Sequence, residues 1–261
     1  MKLFFHKYQG TGNDFIMIDN SDSKYSGLTV NQIRHLCDRR FGIGADGLIK
    51  INSTDGFDFE MDYYNADGTK SFCGNGARCS VMFAKEVGLV KGNKASFMAI
   101  DGSHEATISD GQVFLTMKDV REVRTISNDI FEMNTGSPHY IKYVEDIDKE
   151  NVVDFGKSVR YSDTYSTEGI NVNLAEQIAP DTIKVYTYER GVEDETLSCG
   201  TGVTAAALSF AVKNKLEGLQ RIIVQTKGGQ LEVRFNKNSS FSDVWLIGPA
   251  MEVFEGTCDV V

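Results

Sequence analysis

The chain has 261 residues, 41% of them apolar, with only three prolines and a formal net charge of −10. That length supports two modest domains with cores of their own, and the scarcity of proline argues against long linkers or disorder. An excess of 37 acidic over 27 basic residues, with no basic stripe, disfavours a nucleic-acid partner, because neutralising phosphates takes clustered Lys and Arg. The first residues, Met1-Lys2-Leu3-Phe4-Phe5-His6, lack the apolar core of a signal peptide. The longest apolar stretch, around 205–212, is too short to span a bilayer and carries Ser209. A cytoplasmic protein without membrane partners is the expectation. Five cysteines, an odd number scattered along the chain, do not read as a disulfide framework, so reduced thiols are expected.

In chain order, a strand is predicted at 15–19, a helix at 29–41, and strands at 47–51 and 59–64. Turn signals at Asp67-Gly68 lead to Cys73-Gly74-Asn75-Gly76, and small and apolar residues at helical spacing then predict a helix over 77–87. Strands at 97–100 and 113–117 are punctuated by Asp101-Gly102 and Asp110-Gly111. A charged stretch near 118–130 marks the boundary between halves. Beyond it come a short helix at 174–179, a strand at 183–188, a helix at 203–213, and strands at 222–224, 231–235 and 244–247.

The two halves repeat one another. Cys73-Gly74-Asn75-Gly76 recurs as Cys199-Gly200-Thr201-Gly202, 126 residues later, and Gly102 and Gly228 keep that offset. Upstream, Thr11-Gly12-Asn13 matches Thr135-Gly136-Ser137, and Tyr64-Asn65 matches Tyr188-Glu189, both at 124. The order is not a strict βαβ alternation. The expected fold is therefore α/β (α+β): two pseudo-symmetric halves, each a mixed or antiparallel sheet curled around a central helix. The halves are taken as 1–120 and 121–248, with the tail, about 249–261, packed with the first. The active site is expected in the cleft between them.

A Cys-Gly-x-Gly turn before a helix leaves N–H groups at the positive end of the helix dipole, a site suited to a carboxylate. The same field favours a thiolate at the cysteine. Two such motifs supply an acid and a base of like chemistry, which inversion of a stereocentre by deprotonation requires. Fixed N–H donors stabilise the carbanion through its carboxylate. Cys37, Cys79 and Cys258 lack that setting and read as small hydrophobes. With no Cys-x-x-Cys and no histidine cluster nearby, no metal is expected at Cys73 or Cys199.

These residues closely resemble diaminopimelate epimerases. The resemblance runs almost end to end. It rests on Gly10-Thr11-Gly12-Asn13-Asp14-Phe15, Phe41-Gly42-Ile43-Gly44-Ala45-Asp46, Tyr64-Asn65-Ala66-Asp67-Gly68, Cys73-Gly74-Asn75-Gly76-Ala77-Arg78-Cys79, Tyr188-Glu189-Arg190-Gly191 and Cys199-Gly200-Thr201-Gly202. It implies a cofactor-free isomerase that interconverts LL- and meso-2,6-diaminopimelate on the route to lysine and peptidoglycan, usually as a homodimer. Cys73 and Cys199 would be the acid/base thiols, and Gly74, Asn75, Gly200 and Thr201 would hold the reacting carboxylate. Asn13, Asn65, Asn171, Glu189 and Arg190 would bind the rest of a diamino diacid; the planar fork of Arg190 suits a carboxylate. Glu189 is also placed to tune Cys199. His139 matches a family histidine held to poise a catalytic thiol, and an imidazole of ordinary pKa accepts a proton near neutral pH. Two positions depart from the family pattern: Gly47, where many relatives have glutamine, and Ser137, where many have asparagine. A proline or hydroxyproline racemase shares the two-thiol idea, but Asn75 and Leu197-Ser198 stand where that group carries other residues. A binding module without proton transfer would not need both thiols.

Overall fold

The structure, a computed structural model, describes residues 1–260 and divides into two compact units, Met1–Leu115 with the chain from Gly248 to Val260, and Thr116–Ile247. The first unit contains β1 (Lys2–Gly10), β2 (Asn13–Asp19), α1 (Val30–Cys37), β3 (Gly47–Asn52), β4 (Phe59–Asn65), α2 (Gly74–Glu86), β5 (Lys94–Ala99), β6 (Gly102–Ser109) and β7 (Gln112–Thr116), together with the final strand, Met251–Asp259. The final strand pairs antiparallel with β1, and β1 with β2. β2 and β3 are parallel, joined through α1; β3 and β4 are antiparallel, β4 and β5 parallel, and β5, β6 and β7 antiparallel.

The second unit repeats this order. It contains β8 (Arg124–Ser127), β9 (Ile130–Asn134), β10 (Pro138–Tyr143), the crossover helix α3 (Val152–Arg160) in the place of α1, β11 (Asn171–Ala179), β12 (Thr182–Glu189), β13 (Asp194–Thr196), α4 (Gly200–Lys213), β14 (Gly218–Thr226), β15 (Gly229–Lys237) and β16 (Phe241–Pro249); the final strand is thus β17. β8, β9 and β10 are antiparallel, β10 and β11 parallel, β11 and β12 antiparallel, β12 and β14 parallel, and β14, β15 and β16 antiparallel. Each unit is thus a mixed sheet with one principal helix after its cysteine, as the sequence indicates.

α2 packs on β1 to β4 and α4 on β9 to β12, β14 and β15. Eleven of the fourteen residues of α4 are buried, among them Val203, Ala205, Ala206, Ala207, Leu208, Phe210 and Ala211. A helix covered on most sides has no polar face to offer water, and small residues let the sheet approach it. Its buried hydroxyls bond to the helix itself: Thr204 Oγ1 donates to Gly200 O at 2.9 Å and Ser209 Oγ to Ala206 O at 2.8 Å. Ser80 in α2 does the same to Gly76 O at 2.8 Å.

Three expectations change. The segment 174–179 is strand, the later part of β11, because its backbone pairs along β12 and, at Leu174 and Ala175, with β10 as well. The helix expected over 29–41 stops at Cys37, since Asp38 Oδ1 accepts the N–H groups of Arg40 and Phe41 and turns the chain away. The hairpin equivalence shifts by one residue. Ala99 faces Gly102 and Thr226 faces Gly229, so the repeat offset is 126 where the helices begin and 127 after they end. The difference is the extra residue of α4, fourteen against thirteen.

Candidate active site

Cys73 and Cys199 are the N-cap residues of α2 and α4, both extended, with φ of −134° and −118°. An N-cap must leave the helical region for the chain to enter, and Gly74 and Gly200 follow without a side chain over the helix mouth. In the first unit Gly76 N–H points at Cys73 Sγ, 3.5 Å away. Cys73 Sγ is also 3.5 Å from Asn13 Oδ1, which accepts from Asn75 Nδ2 at 3.2 Å. The Asn13 amide is oriented from behind, because its Nδ2 donates to Asp46 at 2.6 Å.

That support is an ion cluster which sequence reasoning missed. Arg39 reaches Asp14 with both nitrogens, at 3.0 and 2.6 Å, and Asp46 at 2.8 Å, while Lys7 lies 2.7 Å from Asp14. Burial pushes Asp14 up, but the bonds and charges of Arg39 and Lys7 outweigh it and hold its carboxyl at about 2. The signal lies in two acids, Asp14 and Asp46, each within a motif of the resemblance.

Arg78, in the Cys73–Cys79 motif, is a second supporting residue. It is fully buried beneath the same helix mouth, donating to Thr11 Oγ1 at 3.2 Å. Asn65, expected to touch substrate, uses its Nδ2 on Thr69 Oγ1 at 3.0 Å and accepts from Ser71 at 3.2 Å, so it shapes its own turn. Gly47 has no room for the family's glutamine: a Cβ there would sit 2.5 Å from the Tyr63 ring and from Tyr64 O.

In the second unit the residues register with those of the first. His139 pairs with Asn171 as Phe15 does with Gly47. Asn171 ties three pieces together: its Nδ2 donates to Ser137 Oγ at 2.8 Å and to Pro138 O at 2.9 Å, and its Oδ1 accepts Arg190 N–H at 2.9 Å. Arg190 is exposed on the turn after Glu189, with Nη1 donating to Glu168 O at 2.9 Å. The turn is pinned by Glu193, which accepts from Tyr161 and Tyr188 at 3.0 and 2.9 Å.

Cys199 Sγ lies 3.5 Å from Thr201 Oγ1, which is 2.9 Å from His139 Nε2. His139 Nδ1 faces Asn173 Nδ2 at 3.0 Å. Burial, reinforced by the positive charge of Arg190, drives His139 down to about 3. The imidazole is therefore neutral at pH 7 and does not take up the thiol's proton, against the expectation drawn from an ordinary histidine. It reaches Cys199 through Thr201.

None of the five cysteines forms a disulfide. Burial pushes Cys37 up to about 12 and moves Cys79 and Cys258 upward too, which keeps those three thiols protonated.

A sequence model described as diaminopimelate epimerase matches residues 5–121 and 131–251. The chain belongs to the diaminopimelate epimerase family. A diaminopimelate epimerase of Flavobacterium psychrophilum is 49% identical over 260 residues, covering 98% of this chain and 100% of the relative. Membership in the diaminopimelate epimerase family bears out the resemblance read from the motifs and makes the chain an isomerase. Among solved structures, a Bacillus anthracis phenazine biosynthesis protein of the PhzF family superposes with a TM-score of 0.78 at 14% identity, with both chains covered fully. A hydroxyproline epimerase from Agrobacterium vitis superposes at 0.70 and 13% identity, covering 98% of this chain and 92% of that one. At such identities the likeness is one of fold.

Proposed function

We propose that this chain interconverts LL- and meso-2,6-diaminopimelate, toward lysine and peptidoglycan, by two-base proton transfer without a cofactor. The observation that carries the reading is the same cysteine placed twice as the N-cap of a buried helix that opens on glycine. One sulfur, as thiolate, removes the α-proton. The other, as thiol, returns a proton to the opposite face, and the two exchange protonation states with each inversion. The N–H groups of Gly74, Asn75, Gly200 and Thr201 hold the carboxylate on which the carbanion's charge collects. Arg190 takes the second carboxylate and Glu189 the second ammonium, with Asn13 alongside. Asn171, Ser137 and Asn65 act by holding the turns around them.

A cytoplasmic location is supported by the absence of disulfides, which suits a reducing compartment. No helix among the described residues is long and apolar enough to cross a membrane. A homodimer is supported by Phe4, Met251, Val253 and Phe254, each about half exposed on the paired strands β1 and β17; light scattering should give twice 28.9 kDa.

The decisive assay incubates the protein with diaminopimelate and a reductant in deuterium oxide. Deuterium should enter at Cα while LL and meso forms mix. Exchange into proline, with diaminopimelate untouched, would overturn the substrate.

A further inference from the structure

The helix mouths of the two units rest on different chemistry. A Cβ added to Gly76 would meet Ile49, Met61 and Phe15, whereas one added to Gly202 would meet Asn173 Oδ1 and His139 Cε1. The strand registers make these counterparts. Phe15, Ile49 and Tyr63 stand in β2, β3 and β4 where His139, Asn173 and Thr187 stand in β10, β11 and β12. An apolar trio thus lies under Cys73 and a polar one under Cys199.

The polar trio has one consistent set of proton positions. Asn173 Nδ2 donates to Tyr140 O at 3.2 Å, and Asn173 Oδ1 accepts from Thr187 Oγ1 at 2.9 Å, which fixes the amide. The nitrogen facing His139 Nδ1 is then a donor, so Nδ1 carries the lone pair and Nε2 the proton. Nε2–H donates to Thr201 Oγ1, and the hydroxyl's own proton is directed at Cys199 Sγ. The Cys199 sulfur meets a donor. Across the repeat, Cys73 Sγ accepts Gly76 N–H at 3.5 Å and also faces an acceptor, Asn13 Oδ1, because Asp46 takes the Asn13 Nδ2.

Building on the proton-transfer function proposed above, we infer that Asn173 and Thr187 are positioning residues. They lock the His139 tautomer so that Thr201 donates to Cys199 and favours its thiolate.

The test is the rate at which iodoacetamide alkylates each cysteine at pH 7, resolved by peptide mass spectrometry, in variants checked by circular dichroism. Thr201→Val keeps the shape and removes the donor, and should slow Cys199 about tenfold, because the thiolate is the species alkylated. Thr201→Ser should restore the rate, and Cys73 should be unaffected in both. Asn173→Asp forces the proton onto Nδ1, turns the Thr201 hydroxyl toward Nε2, and should slow Cys199 likewise. An unchanged Cys199 rate in folded Thr201→Val or Asn173→Asp overturns the inference, as does equal slowing of Cys73. Alkylation involves no substrate, so this result stands apart from the deuterium assay that judges the reaction.

Discussion

Gly76 and Gly202 occupy the same place in the repeated motif, yet alanine should cost very different amounts at the two. At Gly202 the new Cβ would lie 2.4 Å from Asn173 Oδ1, and this amide is bonded to Thr187, His139 and Tyr140, so it has nowhere to retreat. Relief needs a movement of about 1 Å, enough to break the Thr187 bond, at about 1 kcal/mol for a buried hydrogen bond and about 1–3 kcal/mol for overpacking. At Gly76 the nearest atoms are Ile49 Cδ1 at 3.0 Å and Met61 Cε at 3.2 Å, ends of flexible side chains. A shift of a few tenths of an ångström suffices there, for under about 1.5 kcal/mol. Both variants gain up to about 1 kcal/mol of helix propensity, which cancels in the comparison. Gly202→Ala should therefore be less stable than Gly76→Ala by about 2 kcal/mol, or roughly 4–8 °C in Tm. Thermal unfolding of the pair, followed by circular dichroism, measures the difference. Equal midpoints, or a lower one for Gly76→Ala, would refute the reasoning.

Acid unfolding should expose the Asp14 cluster. Its pKa of about 2 lies below that of an unfolded aspartate, so its stabilisation is complete above about pH 4 and disappears as pH falls through about 2. Asp14→Asn should remove on the order of 1–2 kcal/mol at neutral pH and flatten that part of the stability profile; an unaltered profile would count against the cluster. Asn171→Ala severs the bonds to Ser137, Pro138 and the Arg190 backbone, and should lower kcat/KM for diaminopimelate about tenfold or more with the fold retained. A value within about twofold of the parent would show that the Arg190 turn holds itself.

The parts of the fold most legible in sequence were those that repeat. Two Cys-Gly-x-Gly motifs, each before a helix, gave the position of both thiols, and several alternating strands lay where their apolar residues put them. β1 was hidden because it buries His6 and Lys7 along with Phe5 and Tyr8, which erases the alternation. β17 was hidden for the opposite reason, since most of it is exposed. α3 carries Gly156 at its centre, a residue that weakens a helical pattern; a Cβ there would sit 2.3 Å from the Tyr188 ring, so packing demands what propensity disfavours. β11 misled because Leu174, Ala175, Ile178 and Ala179 also fit helical spacing, while its buried asparagines look polar until their partners on β10 and β12 are seen. The polar trio beneath Cys199 was out of reach for the same reason: His139, Asn173 and Thr187 come from three strands, and only the sheet register aligns them.

The central claim is that inversion takes both sulfurs. Cys73→Ala and Cys199→Ala, each confirmed as folded, should be assayed from pure LL- and from pure meso-diaminopimelate for conversion to the other isomer. Both variants should fail from either side. Full turnover by either one would contradict the scheme.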